Sequence, residues 1–294
     1  LTFDLLGAQM EACREIDVRV PVYLTAGVDN VAAEAHPEWR EISPDGGYRG
    51  WTDSPLKAGF KTLCFNTPYL DYLVAKIEEA VARYPDADGV FLDIIHQGPC
   101  CCEYCLKRMQ ERGLDPASPV HRQTNADEVL MEYFKRITAA CKVKDPDMPV
   151  FHNSGHVSPG NRKVLPYFSH LELESLPTGG WGYDHFPFSA KYVSGLNLDF
   201  LGMTGKFHTT WGEFGGYKHP NALRYECAAM LAYGSKCSVG DQLHPSGEAD
   251  LSTYRVIGAA YKEVEEKEPR CRDVTNVADI GLLSSAANHV DDPE

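Results

Sequence analysis

No uninterrupted apolar run in this 294-residue chain approaches the ~18 residues that a bilayer-spanning helix needs, so no segment reads as a membrane span. Positive charge is scarce. Against 42 Asp and Glu stand 28 Lys and Arg, a net charge of −14. A surface of that sign repels phosphate backbones and anionic lipid, which excludes nucleic acid and membrane as partners and leaves neutral or cationic ligands open. No glycine-rich phosphate turn follows an early strand, which argues against a dinucleotide-binding open sheet. The opening LTFDLLGAQM has no initiator Met and no charged-then-apolar leader, and the closing VDDPE directly follows the strand-like ADIGLLSS. The expectation is that both ends lie inside a longer protein, with residues 273–294 beginning a following domain or linker.

The chain is well supplied with core-forming residues, 43% hydrophobic in all. Its ten cysteines are mostly dispersed as lone small hydrophobes, which favours a reducing compartment and a cytoplasmic location. Strand-like and helix-like segments alternate. Phe3 to Ile16 has the spacing of an amphipathic helix, and residues 18–27, VRVPVYLTAG, form a near-continuous apolar strand. A long loop containing HPEWREISPDGGYRGW follows. Thr67 as N-cap and Pro68 at the first helical position open the next helix. It leads into GVFLDII (89–95). A helix near 125–142 precedes MPVFHNS, then come HLELES, DFLGMTGKFH, a helix from Pro220 to Tyr233, SKCSVGDQ, and a last helix from Leu251 to Glu266. Alternation of this kind implies a parallel sheet with helical crossovers, either doubly wound or closed as a (β/α)8 barrel. Polar residues end nearly every strand: Asp93, His152 with Asn153, Glu174, His208, and Asp241 with Gln242. Chemistry at the C-terminal tips of many strands is the habit of the TIM barrel. The expected fold is therefore α/β, a truncated (β/α)8 barrel over residues 1–272 with strands 3–8 present and the first two βα units missing.

The stretches DLLGAQMEAC, VPVYLTAGVDN, HPEW, CFNTPYLDYL, DGVFLDI with the cysteine run after it, FHTTWGEFGGYKHP and GDQLHPSG carry a resemblance that covers essentially the whole chain. They resemble a family of glycoside hydrolases related to α-L-fucosidases and, more distantly, to β-galactosidases with a trimerisation domain. The resemblance implies a carbohydrate substrate, a retaining exo-glycosidase of α-L-fucosidase type, no cofactor for catalysis, and a homo-oligomer formed through the C-terminal region absent from this chain. A β-galactosidase-like glycosidase and a non-hydrolytic carbohydrate-binding barrel are the alternatives.

Glycoside hydrolysis usually uses two carboxyl groups. Asp93 ends an apolar strand, where a charge is costly unless it meets a polar cavity. In the fucosidase-like relatives an Asp at the end of the fourth strand is the nucleophile, the position Asp93 occupies. For the second carboxyl, Glu174 and Glu213 compete. In HLELES, His170, Glu172 and Glu174 share one strand face and Leu171 and Leu173 the other, so leucines toward the helices would aim Glu174 inward. Glu213 lies between Trp211 and Phe214, which could raise its pKa as a general acid requires. Trp181 and Trp211 offer flat faces to sugar C–H groups, and His96, His152, Asn153, His208, Asp241 and His244 are candidate hydroxyl ligands.

In PCCCEYC, Cys100, Cys102 and Cys105 can supply three thiolates from one loop, and Cys64 is the natural fourth for tetrahedral zinc. A similar arrangement is a structural zinc site in some of the β-galactosidases just named. With four protein ligands, no open position would be left for catalysis. A thioredoxin-type pair, Cys102 and Cys105, and plain packing without metal are the competing readings.

Overall fold

Alternating burial separates the two faces of the first sheet. In the computed structural model, which describes residues 2–51, 59–155, 157, 162–272 and 274–283, Val22–Thr25 (β1), Val90–Asp93 (β2) and Val150–His152 (β3) pair in parallel, in the order β1-β2-β3. Val22 lies opposite Val90, and Val90 opposite Val150. Val90, Leu92 and Val150 are buried with Leu70, Leu73, Ile77 and Val81 of Tyr69–Arg83 (α3) and with Val129, Tyr133 and Ile137 of Pro119–Cys141 (α5). Successive side chains of a strand point to opposite faces, so Tyr23, Phe91 and Phe151 line the other side, and Asp93 with them. Their rings run along it, Tyr23 stacked on Phe91 with centroids 5.6 Å apart and Phe151 tilted against Phe91 at 5.4 Å.

The chain forms two compact units, residues 1–154 with 164–168 and residues 155–163 with 169–294. The second has its own parallel sheet, Leu171–Glu174 (β4), Phe200–Gly205 (β5) and Lys236–Gly240 (β6), in the order β4-β5-β6. Leu171 and Leu173 are buried on the face toward the helices. There Gly202 is hemmed in by Met230 of Pro220–Ala232 (α7) and Phe186 of His185–Val193 (α6), and a Cβ would come within 2.5 Å of Met230. Glu172 and Glu174 lie on the opposite face, as the alternation in HLELES implies. Leu251–Lys267 (α8) packs on α7.

The described residues thus form an α/β fold with two three-stranded parallel sheets. Four details differ from the sequence expectation. The segment 28–66 is more than a loop: it holds the short helix Asn30–Ala35 (α2), a 3₁₀ turn at Pro37–Trp39, and antiparallel bridges pairing Val28 with Thr62 and Arg40 with Leu63. The α3 helix begins at Tyr69 with Pro68 in the capping position, while the Thr67 hydroxyl accepts from the Tyr69 N–H at 3.2 Å. The α5 helix begins earlier than expected because Ser118 caps it and Pro119 takes its first position. Glu103–Glu111 (α4), immediately after the cysteine run, and Leu5–Glu15 (α1) complete the helices named here. The strand expected in ADIGLLSS is not formed over 278–283, and its last two residues lie outside the described residues. No helix among the described residues is long and apolar enough to cross a membrane.

Leu92 is fully buried between β2's neighbours and α3. Leu92→Ala is expected to lower unfolding free energy by about 2–5 kcal/mol in urea titrations.

Candidate active site

In the first unit the tip of β2 is built around one carboxylate. Asp93 is half-buried, and each of its oxygens has a donor: the Tyr23 hydroxyl donates to Oδ2 at 2.5 Å, and Asn153 Nδ2 donates to Oδ1 at 2.8 Å. The N–H of Ile94 adds a third bond, to Oδ1 at 2.9 Å. Tyr23 lies on β1 and Asn153 directly follows β3, its N–H still on the ladder to the Leu92 carbonyl, so the parallel register orients the carboxylate. Beyond Asp93 the backbone turns abruptly. Ile94 has φ of 59°, a left-handed conformation that costs a β-branched residue energy. Its carbonyl presses on Gly27, where a Cβ would fall 1.8 Å from it, so only glycine fits there.

The strap leaving this turn carries His96, Gln97 and the cysteines. His96 is exposed, and its Nε2 lies 3.3 Å from an Arg49 guanidinium nitrogen. Beneath it, Glu41 is fully buried. Its Oε1 accepts from Gly98 N–H at 2.6 Å and Gln97 Nε2 at 3.1 Å, and its Oε2 stands 3.4 Å from Arg49 Nε. Burial pushes the Glu41 carboxyl up to about 7. Cys64, Cys100, Cys102 and Cys105 are all buried, with their sulfurs within 4.8 Å of one another. A tetrahedral zinc–thiolate site has sulfurs about 3.8 Å apart, from Zn–S bonds near 2.3 Å, and Cys64 and Cys105 stand at 3.5 Å. Several N–H groups point at the sulfurs: Ile42 and Cys102 N–H at Cys100 (3.4 and 3.3 Å), Gln97 Nε2 at Cys64 (3.5 Å). Donors of this kind suit thiolates, so the four residues could hold a metal ion.

His152 departs from its expected place. It shares Leu92's face of the sheet, not Asp93's, and is 2% exposed. Tyr133 hydroxyl meets Nδ1 at 3.2 Å and Thr138 hydroxyl meets Nε2 at 3.0 Å, which leaves no ring nitrogen for a sugar. Burial drives its pKa down to about 3.

In the second unit Glu174 is half-buried at the end of β4, and the neighbouring Glu172 pairs with His170 at 2.9 Å. Glu213 corrects the expectation of a raised pKa. Its carboxylate closes its own turn, accepting from the Thr209 hydroxyl, from His208 N–H at 2.9 Å and from Thr210 N–H at 3.3 Å. Those bonds, the Thr209 hydroxyl first, hold it below the usual carboxylate range, while Phe214 points to solvent. Trp211 lies over the ends of β5 and β6, where a Cβ on Gly240 would meet its ring at 2.9 Å. Trp181 is 37% exposed and packs edge-on against His185, 5.1 Å between centroids. His208 is exposed, and His244 is exposed with Nδ1 bound to Ser246 of its own turn. At the tip of β6, Asp241 Oδ1 and Gln242 Oε1 are buried and have no hydrogen-bond partner among the described residues. A small pocket lies on the other face of this sheet, toward α6 and α7; Glu226 on its wall bonds Thr204 at 2.7 Å and Lys218 at 2.5 Å. Glu174 is not part of it.

Sequence reasoning missed Tyr23, Glu41, Arg49 and Gln97. Tyr23 was within reach of the period-two argument, being on Thr25's face of β1. Nothing in the spacing of Glu41 and Arg49 points to residues 96–98.

Comparison with known proteins finds likenesses of sequence and fold. Residues 1–94 match the family described as hypothetical glycosyl hydrolase 6. The fold superposes on α-L-fucosidase isoenzyme 2 from Paenibacillus thiaminolyticus with a TM-score of 0.93 and 52% identity, over 97% of this chain and 43% of that one. A candidate α-L-fucosidase from Bacteroides thetaiotaomicron matches at TM-score 0.51 and 12% identity, over 90% of this chain and 48% of its own, a likeness of fold alone. No curated protein matches the sequence. The chain is thus similar over nearly its whole length to an α-L-fucosidase, and it spans less than half the length of that Paenibacillus relative.

Because His152 is neutral in the fold, its contribution to stability is present above its ordinary value of 6.5 and is lost as pH falls from there toward 3. Urea unfolding from pH 7 to pH 4 should show this loss, bounded at about 5 kcal/mol, and His152→Asn should flatten it.

Proposed function

We propose that the protein containing this chain is a retaining glycoside hydrolase acting on α-L-fucosides or closely similar glycosides, with Asp93 as nucleophile. The observation that carries the reading is the Asp93 carboxylate at a strand tip, on the face away from the helices, oriented by Tyr23 and Asn153. The 52% identity to an α-L-fucosidase supports the substrate class. Asp93 attacks the anomeric carbon while an acid protonates the departing oxygen; water then cleaves the glycosyl-enzyme with the same acid acting as base. Glu174 is preferred for that second role. Glu213 is committed to its own turn and its carboxyl is held low, the opposite of what an acid needs. Asn153, His96, Trp181, Trp211, His208, His244 and Asp241 remain candidate sugar contacts, Asp241 foremost because its Oδ1 is unpartnered among the described residues.

The parallel strands, five of the six followed by an α-helix, support the finer fold reading, strands 3–8 of a (β/α)8 barrel with residues 1–272 as catalytic domain and 273–294 leading into another. The free thiols suit a cytoplasmic location, and assembly as a homo-oligomer through a C-terminal region is part of the same proposal. The four-cysteine cluster is read as a closed, structural zinc site that braces the strap beyond Asp93 and takes no part in the reaction.

Asp93→Ala in the full-length protein should reduce hydrolysis of aryl α-L-fucosides by roughly a thousandfold or more. Azide should restore turnover and yield a glycosyl azide; activity that survives the substitution rules Asp93 out. Elemental analysis should find one zinc per chain. Cys64→Ser should lose it and melt at lower temperature, whereas metal removal from protein that stays folded should leave turnover unchanged.

A further inference from the structure

The fully buried Glu41 needs an explanation, because an ionisable group without solvent is costly unless its bonds serve a purpose. Its partners lie on one line. Oε1 takes the Gly98 N–H and Gln97 Nε2, which fixes the strap four and five residues past Asp93. Oε2 faces Arg49 Nε at 3.4 Å. The Arg49 guanidinium is pressed flat on Gly98, where a Cβ would come within 2.6 Å of it, and its outer nitrogen reaches His96 Nε2 at 3.3 Å.

Arginine has five N–H donors and no acceptor. The group facing Arg49 on His96 must therefore be a lone pair, which assigns the ring proton to Nδ1. Among the described residues Nδ1 has no hydrogen-bond partner, and the side chain is exposed. Partial desolvation on the ring's Arg49 side, and after it the charge of Arg49, also oppose protonation of the ring.

We propose that Glu41 and Arg49 are positioning residues that lock His96 as the neutral Nδ1–H tautomer, so that it presents a hydrogen-bond donor to an oxygen of the bound glycoside. The use made of that donor rests on the function proposed above; the tautomer does not. Without the relay the ring would be free to turn and to carry its proton on either nitrogen, and a hydroxyl that needs a donor would meet one only part of the time.

The test uses full-length protein with ¹⁵N-labelled histidine. Long-range ¹H–¹⁵N correlation spectra at pH 7, assigned with His96→Gln, should show His96 as Nδ1–H. Arg49→Met should convert it to a tautomer mixture, and Glu41→Gln should move it part of the way. In parallel, Arg49→Met should raise KM for an aryl α-L-fucoside about tenfold, with kcat within about threefold, since the lost hydrogen bond serves binding. An Nε2–H ring in the wild type overturns the proposal whatever the activity, and needs no variant to fold. A tautomer untouched by both substitutions also overturns it, as does an unchanged KM. If the wild type shows Nδ1–H but hydrolyses no aryl glycoside, the functional reading fails and the tautomer lock stands.

Discussion

The site depends on the strict two-residue alternation of a parallel strand. Val90 and Leu92 must be apolar to seal β2 against α3 and α5, and because they are, Phe91 and Asp93 face away from the helical layer. The adjacent strands, held in register by the same ladder, then bring Tyr23 and Asn153 to either side of the carboxylate. No loop is needed to aim it. In the second unit the same rule sets Leu171 and Leu173 against the helices and turns Glu172 and Glu174 the other way.

That rule also marks what the sequence made legible. The strand-and-helix order, the apolar faces and the tip position of Asp93 all follow from short-range periodicity. So does the face of Glu174. His152 and Asn153 show the rule being neglected: neighbours in a strand cannot both face the same way, and reading both as tip residues ignored it. Glu213 was misjudged for another reason. Aromatic neighbours in the sequence suggested a dry environment, but in TTWGE the nearer partners are the Thr209 hydroxyl and the backbone N–H groups three to five residues back, a local turn that competes with any longer-range role.

What was not legible depends on contacts between distant segments. The Cys64 contribution to the thiol cluster could be argued, since its loop and the loop after Asp93 flank the same helix and strand. Glu41 and Arg49 could not, because nothing in a Pro- and Gly-rich stretch tells which strap it will lie against. Their arrangement also shows how the strap is fixed along its length, by thiols at one end and by Glu41's bonds to Gln97 and Gly98 near the other.

The meeting of Ile94 and Gly27 has a consequence for how such a protein could be altered. The exit of β1 and the exit of β2 are shaped to one another at atomic contact, so neither can drift alone. A mutagenesis library confined to the segment after Asp93 would keep returning to the parental backbone or lose it altogether. Varying both exits together is the route by which this corner of the molecule could acquire a new preference.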